Sequence, residues 1–124
     1  MPFDGISTTR GAKAVYVIDK MIEAFDDGKG WICGTWRSTD KKQRCLMGAL
    51  NFIRATDPVA KNLRITPYFI KAIGAQTLSR IKERHGYPTL NAKNAVIAFN
   101  DANNTYKPIH EMLLKARKLA EQDI

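Results

Sequence analysis

Residues 12–27 read AKAVYVIDKMIEAFDD, and this pattern predicts a helix at the centre of the fold. The apolar side chains occupy half of the helix circumference at about 100° per residue, while the acidic side chains and Lys20 gather on the other half. A surface helix needs a narrower apolar face, so this helix is expected to contact several neighbours. The preceding Ser7, Thr8 and Thr9 are residue types that cap helix starts, and Gly28 suits the residue after a helix end.

Further helix signals follow along the chain. Asp57-Pro58 and Thr66-Pro67 each place a capping residue before a proline at the first helical position. The second pair is expected to start one long helix from Pro67 to His85, closed by Gly86. The other predicted helical segments are 48–54, 58–63, a short helix through 95–99 capped by Thr89 or Asn91, and a last helix capped by Thr105. The last helix carries an apolar stripe of Ile109, Met112, Leu113, Ala116, Leu119 and Ala120.

A different pattern lies between the first two helices. Residues 31–36, WICGTW, are aromatic and compatible with a strand, and the polar turn RSTDKK separates them from QRCLM at 43–47. We interpret this as a short β-hairpin near residues 31–47. A hairpin symmetric about Thr39 places Cys33 opposite Cys45. An isolated hairpin is marginal in water, so Trp31 and Trp36 are expected to attach it to the helices.

The predicted fold class is therefore mainly α (α+β), with about five helices and one short hairpin. The 124 residues fit a single domain, 1–124, with residues 1–9 as a loose N-terminal lead-in. There is no apolar run of the roughly 18 residues that a membrane helix needs and no apolar signal core, so no membrane partner is expected. Two cysteines without an export signal favour a reducing, cytoplasmic location.

Three short motifs occur in order along the chain: Gly30-Trp31-Ile32-Cys33-Gly34, Cys45-Leu46-Met47-Gly48-Ala49-Leu50 and Phe99-Asn100-Asp101. Together they resemble a group of small bacterial and phage proteins classed as a domain of unknown function, from about Ala12 to Glu121. Members of that group often carry Cys-Gln after Gly-Trp, where this chain has Ile32-Cys33. The resemblance implies an order of helix, Gly-Trp element, second helix and closing helix, and it implies no established activity.

One functional alternative is a small enzyme or ligand-binding domain whose pocket holds Trp31, Cys45, Asn100 and Asp101. Cys45 precedes a helix start beside Arg44, an environment that lowers a thiol pKa, although no base is identified. The competing interpretation is a buried small cysteine and an Asx turn. We expect neither a metal nor a cofactor, because the cysteines and histidines lack ligand spacing and no phosphate-binding glycine pattern occurs.

The leading hypothesis rests on charge. The chain has 20 Lys+Arg against 12 Asp+Glu, a net charge of +8, which favours an anionic partner such as nucleic acid or an acidic protein surface. Arg37, Lys41, Lys42 and Arg44 cluster on the hairpin, and Lys71 and Lys82 lie along one flank of the long helix. The alternative is that these charges only cover the core edge and keep the protein in solution.

Two further interpretations concern single residues. Trp36 among these cations could stack on a base, although we favour its attachment to the core. Leu114 lies off the stripe of the last helix, where it could form the contact of a homodimer, so a structural or oligomerising protein is a third alternative.

Overall fold

The computed structural model describes residues 9–86 and 91–124, and these residues are mainly helical. The helices are α1 (Arg10–Phe25), α2 (Leu46–Thr56), α3 (Thr66–Ile73), α4 (Ala75–His85), α5 (Ala92–Asp101) and α6 (Lys107–Glu121). Short 3₁₀ turns occupy Asp26–Gly28 and Pro58–Ala60. The mainly α prediction is confirmed, whereas six α-helices replace the expected five or so. The predicted lead-in up to residue 8 and the proposed cap Thr89 lie outside the described residues.

The core forms where α1 and α6 pack together and α3 lies against α6. The second layer is α2 and α5, which contact α1 and α3 respectively and also contact each other. As the half-apolar pattern predicts, α1 contributes Val17, Ile18, Met21 and Phe25 to the fully buried core. Thr9 caps this helix, because its hydroxyl accepts a hydrogen bond from the Ala12 amide at 3.2 Å.

The predicted long helix is wrong, because the chain breaks at Gly74. Gly74 has φ 89° and ψ 147°, a conformation that residues with a side chain rarely adopt, and it separates α3 from α4. Of the described α4 side chains only Ile81 is buried, so this helix is anchored to the rest of the protein through a narrow contact. The predicted end at Gly86 is correct, with the residue in the left-handed conformation at φ 70°.

The predicted β-hairpin is also wrong. Residues 30–45 form a loop with two isolated bridges, Trp31 with Arg44 in parallel and Arg37 with Arg44 in antiparallel orientation. The physical reason is Gly34, whose φ of 81° turns the chain in the middle of the presumed first strand. Arg44 therefore lies between two short segments, and the opposite pairing of Cys33 and Cys45 does not form. Both cysteines are free thiols.

The helix caps are a mixture of confirmed and wrong predictions. Asp57 caps the 3₁₀ turn by accepting from Val59 N at 2.9 Å, and Asn91 caps α5 by accepting from Asn94 N at 2.8 Å. Thr105 does not cap α6, which starts after Tyr106 without a side-chain hydrogen bond. The apolar stripe of α6 is correct, since five of its six residues are buried and Leu119 is half-buried.

None of the helices in residues 9–86 and 91–124 has the length and apolar character that spanning a membrane requires.

Candidate functional site

The three sequence motifs meet at the side chain of Asn100, at the end of α5. Its Oδ1 accepts hydrogen bonds from Trp31 Nε1 at 2.7 Å and from the Leu46 amide at 3.1 Å. Its Nδ2 donates to the Ile32 carbonyl at 3.2 Å and to Asp101 Oδ1 at 3.1 Å. Asn100 has no exposed surface. This side chain therefore binds the loop and the start of α2 to α5, and no part of it is accessible to a ligand.

Asp101 also holds the loop, through a hydrogen bond at the protein surface. Its Oδ1 accepts from the Gly34 amide at 2.8 Å, which fixes the turn that interrupts the presumed strand. The side chain is exposed, but its contacts are with the loop and with Asn100. Trp31, Asn100 and Asp101 thus converge, as the pocket hypothesis expects, but their polar groups bind one another.

Cys45 is the N-cap residue of α2. Its Sγ accepts a hydrogen bond from Gly48 N at 3.3 Å, and its side chain is buried. Burial raises the pKa of the Cys45 thiol, and the neighbouring Asp101 carboxylate raises it further, although the Gly48 amide acts in the opposite direction. The environment therefore favours the neutral thiol, whereas a catalytic thiolate needs a lowered pKa. Cys45 lies before a helix start, as the sequence predicts, and its burial agrees with the interpretation of Cys45 as a small buried cysteine.

A buried cluster of aromatic side chains packs against Trp31. No sequence pattern predicts this cluster. Tyr106 packs with ring centroids 5.6 Å from Phe25 and 6.3 Å from Trp31. Its hydroxyl lies 3.4 Å from His110 Nδ1. Burial raises the pKa of Tyr106 to about 12. The cluster packs against Trp31 and holds its ring in place.

Two aromatic rings are exposed at the surface, and a cation lies over one face of each ring. Trp36 is 41% exposed and Phe52 is 49% exposed. Lys93 Nζ lies 5.0 Å from the Trp36 ring centroid, and Arg44 Cζ lies 4.1 Å from that of Phe52. The predicted attachment of Trp36 to the core is therefore wrong. We call these four residues the aromatic–cation face.

Gly48 brings the loop residues Trp36 and Arg44 close to α2. A Cβ on Gly48 would clash with the Trp36 carbonyl and would lie 3.5 Å from Arg44 Cβ, so both residues lie directly over this position of α2. Phe52 follows one helical turn later on the same side of α2. The absence of a side chain at Gly48 lets the loop lie close to the helix.

A concave surface of about 480 Å³ adjoins this face at Lys93, and we call it the basic groove. It lies between α2, the start of α3 and the start of α5. Its lining is Met47, Asn51, Arg54, Arg64, Thr66, Asn91, Ala92 and Lys93. Three of these residues are cations and none is a carboxylate. No sequence pattern singles out Arg54, and the fold brings it together with Arg64 and Lys93 in one groove.

Two of the predicted basic residues of the loop, Lys42 and Arg44, line a small cavity together with Phe52. Arg37, Lys41 and Lys42 are exposed, and Arg44 is half-buried over Phe52. Asp40 lies within the same turn, where it accepts hydrogen bonds from Ser38 Oγ and from the Lys42 amide at 3.0 Å. These bonds lower the pKa of Asp40, so the carboxylate shapes the turn and stays ionised among the cations.

Lys71 and Lys82 are not on one flank of one helix. Lys71 is exposed on α3, and Lys82 is half-buried on α4, beyond the break at Gly74. Lys82 lines a separate cleft between α4 and α5. The two lysines therefore do not form the single surface that a continuous helix implies.

Neither a metal site in the described residues nor a similar protein indicates a function for this chain. Within residues 9–86 and 91–124, no three His, Cys, Asp or Glu side chains come together as metal ligands would. Comparisons with protein-family models, with curated proteins and with solved structures found no match. A proposal for the function therefore depends on the geometry of the site.

Proposed function

We propose that this protein is a non-enzymatic module that binds single-stranded nucleic acid through the aromatic–cation face. The observation that carries the proposal is the exposed pair Trp36 and Phe52, each ring under a cation. An exposed indole and an exposed phenyl ring offer flat apolar area to unstacked bases. Stacking of a base on an aromatic side chain contributes roughly 1–3 kcal/mol and tolerates any base.

Charge supports the same assignment. Lys93 and Arg44 belong to the face, while Arg37, Lys41 and Lys42 are exposed beside it, so a strand stacked on the rings has cations along its phosphates. The net charge of +8 adds long-range attraction to a polyanion. An acidic protein surface would use the same cations, but it has no need of two exposed rings. For this reason we prefer nucleic acid to an acidic protein as the partner.

The enzyme alternative has less support. It requires an accessible pocket at Cys45, Asn100 and Asp101, whereas Asn100 is fully buried and burial raises the pKa of the Cys45 thiol.

The proposal also includes a cytoplasmic location, which agrees with two free thiols. Leu114 is 48% exposed on α6, and its homodimer contact stays a prediction.

Fluorescence anisotropy of a labelled single-stranded oligonucleotide at low salt tests the proposal. We expect binding by the wild-type protein, weaker binding of the same sequence as a duplex, and roughly tenfold weaker binding by Trp36→Ala because one stacked base is lost. Phe52→Ala should have a similar effect. Leu114→Ala is the matched control, since it removes an equally exposed apolar side chain from α6.

A poly-glutamate competitor separates the two anionic partners. If poly-glutamate binds as tightly as the oligonucleotide and Trp36→Ala changes neither affinity, the surface binds acidic proteins and the nucleic-acid proposal is wrong.

A further inference from the structure

The basic groove holds more positive charge than its protein surroundings neutralise. Arg54, Arg64 and Lys93 line one concavity of about 480 Å³. Among the described residues, the ion pairs of the structure lie elsewhere, at Asp57 and at Arg117. Three cations without a carboxylate repel one another, and an anion in the groove would relieve that repulsion.

A hydrogen bond holds the Arg54 side chain in place in the lining of the groove. Its Nη2 donates to the Leu63 carbonyl at 3.0 Å, which orients the guanidinium without neutralising it. Partial burial lowers the pKa of Arg54, which shows that the charged form has lost part of its hydration. A planar guanidinium in this position has further N–H donors left for the paired oxygens of a phosphate.

Two helix starts add the positive ends of their dipoles to these side chains. Thr66 is the first residue of α3, and Ala92 and Lys93 are the first two residues of α5. The Asn94 amide of α5 is capped by Asn91 and Pro67 of α3 has no N–H, so these helix starts act on an anion mainly through the positive ends of their dipoles. Asn51 and Asn91 add neutral polar side chains to the lining.

We infer that the basic groove binds a phosphate monoester, namely the terminal phosphate of a nucleic-acid strand. This inference rests on the proposed function and assigns the end of the same strand. An internal phosphodiester carries one negative charge, whereas a monoester carries about 1.5 to 2 at neutral pH, which matches three cations better.

Lys93 links the groove to the Trp36 ring. It lines the groove and also lies over the Trp36 ring, so it joins the groove to the aromatic–cation face. A terminal phosphate in the groove therefore leaves the first bases next to Trp36. Recognition of the strand end and stacking of the following bases are neighbouring parts of one surface.

The test compares one single-stranded sequence with a 5′-phosphate, with a 3′-phosphate and with hydroxyl groups at both ends. We expect a phosphate at one of the two ends to tighten binding roughly tenfold, as charge-assisted hydrogen bonds do. Arg64→Gln should remove this preference and leave the affinity for the unphosphorylated strand nearly unchanged. Arg64 is exposed, so its replacement spares the core, and Lys118→Gln on α6 is the matched control for lost charge.

The outcomes separate the two proposals. If all three strands bind equally and Arg64→Gln weakens them equally, the inference is overturned while single-strand binding stands. If none of the strands binds at low salt, both proposals fail. A free nucleoside monophosphate or inorganic phosphate that binds as tightly as the phosphorylated strand would overturn the assignment to a strand end.

Discussion

At the scale of single residues, Asn100 determines how the loop is held. Its Oδ1 accepts from Trp31 Nε1 and from Leu46 N, both of which are buried together with it. Asn100→Leu keeps the size of the side chain and removes both acceptor contacts. Each buried donor left without a partner costs roughly 1–3 kcal/mol, so we expect a loss of about 3 kcal/mol or more in the free energy of unfolding.

Urea denaturation measures this loss. Asn104→Leu is the matched control, because Asn104 is exposed in the turn that follows α5. Equal stability of the Asn100→Leu and wild-type proteins would show that the hydrogen bonds of Asn100 do not hold the loop.

Thiol reactivity distinguishes a buried structural cysteine from a nucleophile. Cys33 is half-buried, whereas Cys45 is buried with a raised pKa. A disulfide reagent should therefore label the native protein in two phases, with Cys33 in the fast phase and Cys45 in the slow one. Cys33→Ser should leave only the slow phase. A fast phase that persists in Cys33→Ser would revive the hypothesis of a thiolate at Cys45.

At the scale of elements, the sequence predicts helices better than it predicts their continuity. The pattern of residues 67–85 is helical throughout, and Gly74 is compatible with both a close helix contact and a break. Its φ of 89° is fixed by how α3 and α4 pack on the other helices, which no local pattern contains. The same holds for Gly34, where the turn depends on the Asp101 carboxylate 67 residues away in the chain.

The candidate site, too, could be predicted only in part from the sequence. Sequence motifs correctly brought Trp31, Asn100 and Asp101 together, but the number of hydrogen bonds at Asn100 decides that they are structural. Arg54, Arg64 and Lys93 come from three separate segments, and only the packing of α2, α3 and α5 brings them into one groove.

Asp57 joins α1 to the end of α2 and gives the fold a dependence on pH. Burial acts to raise the pKa of this carboxyl, but hydrogen bonds from Lys20 at 2.9 Å and Tyr16 at 2.7 Å outweigh it, and the pKa is lowered. A pKa that is lower in the folded state stabilises the protein above the unfolded value near 3.8, and this stabilisation is lost as the pH falls through the folded value.

Asp57→Asn should therefore be less stable than the wild type at neutral pH, and its stability should fall less steeply below about pH 4. Thermal unfolding measured between about pH 2 and about pH 7 detects both effects. Glu111→Gln on α6 controls for the change in net charge. Parallel pH profiles of Asp57→Asn and wild type would contradict the role assigned to this carboxylate.

At the scale of the whole molecule, the helical core serves as a rigid support for one surface. The helices α1, α3 and α6 form the apolar centre, while α2, α5 and the 30–45 loop carry the aromatic–cation face and the basic groove. Asn100 links the loop, α2 and α5, so the cluster that looks like a catalytic pocket in the sequence positions the surface that we propose for binding.

The salt dependence of single-strand binding tests this account most directly. Each phosphate neutralised by a cation releases condensed counterions, so the logarithm of the affinity falls linearly with the logarithm of the salt concentration. For about four phosphate contacts we expect a slope of about −3, and Lys42→Gln together with Lys93→Gln should make it shallower by about 1.4. A slope near zero, or a slope that the double variant leaves unchanged, would contradict the assignment of this surface to nucleic acid.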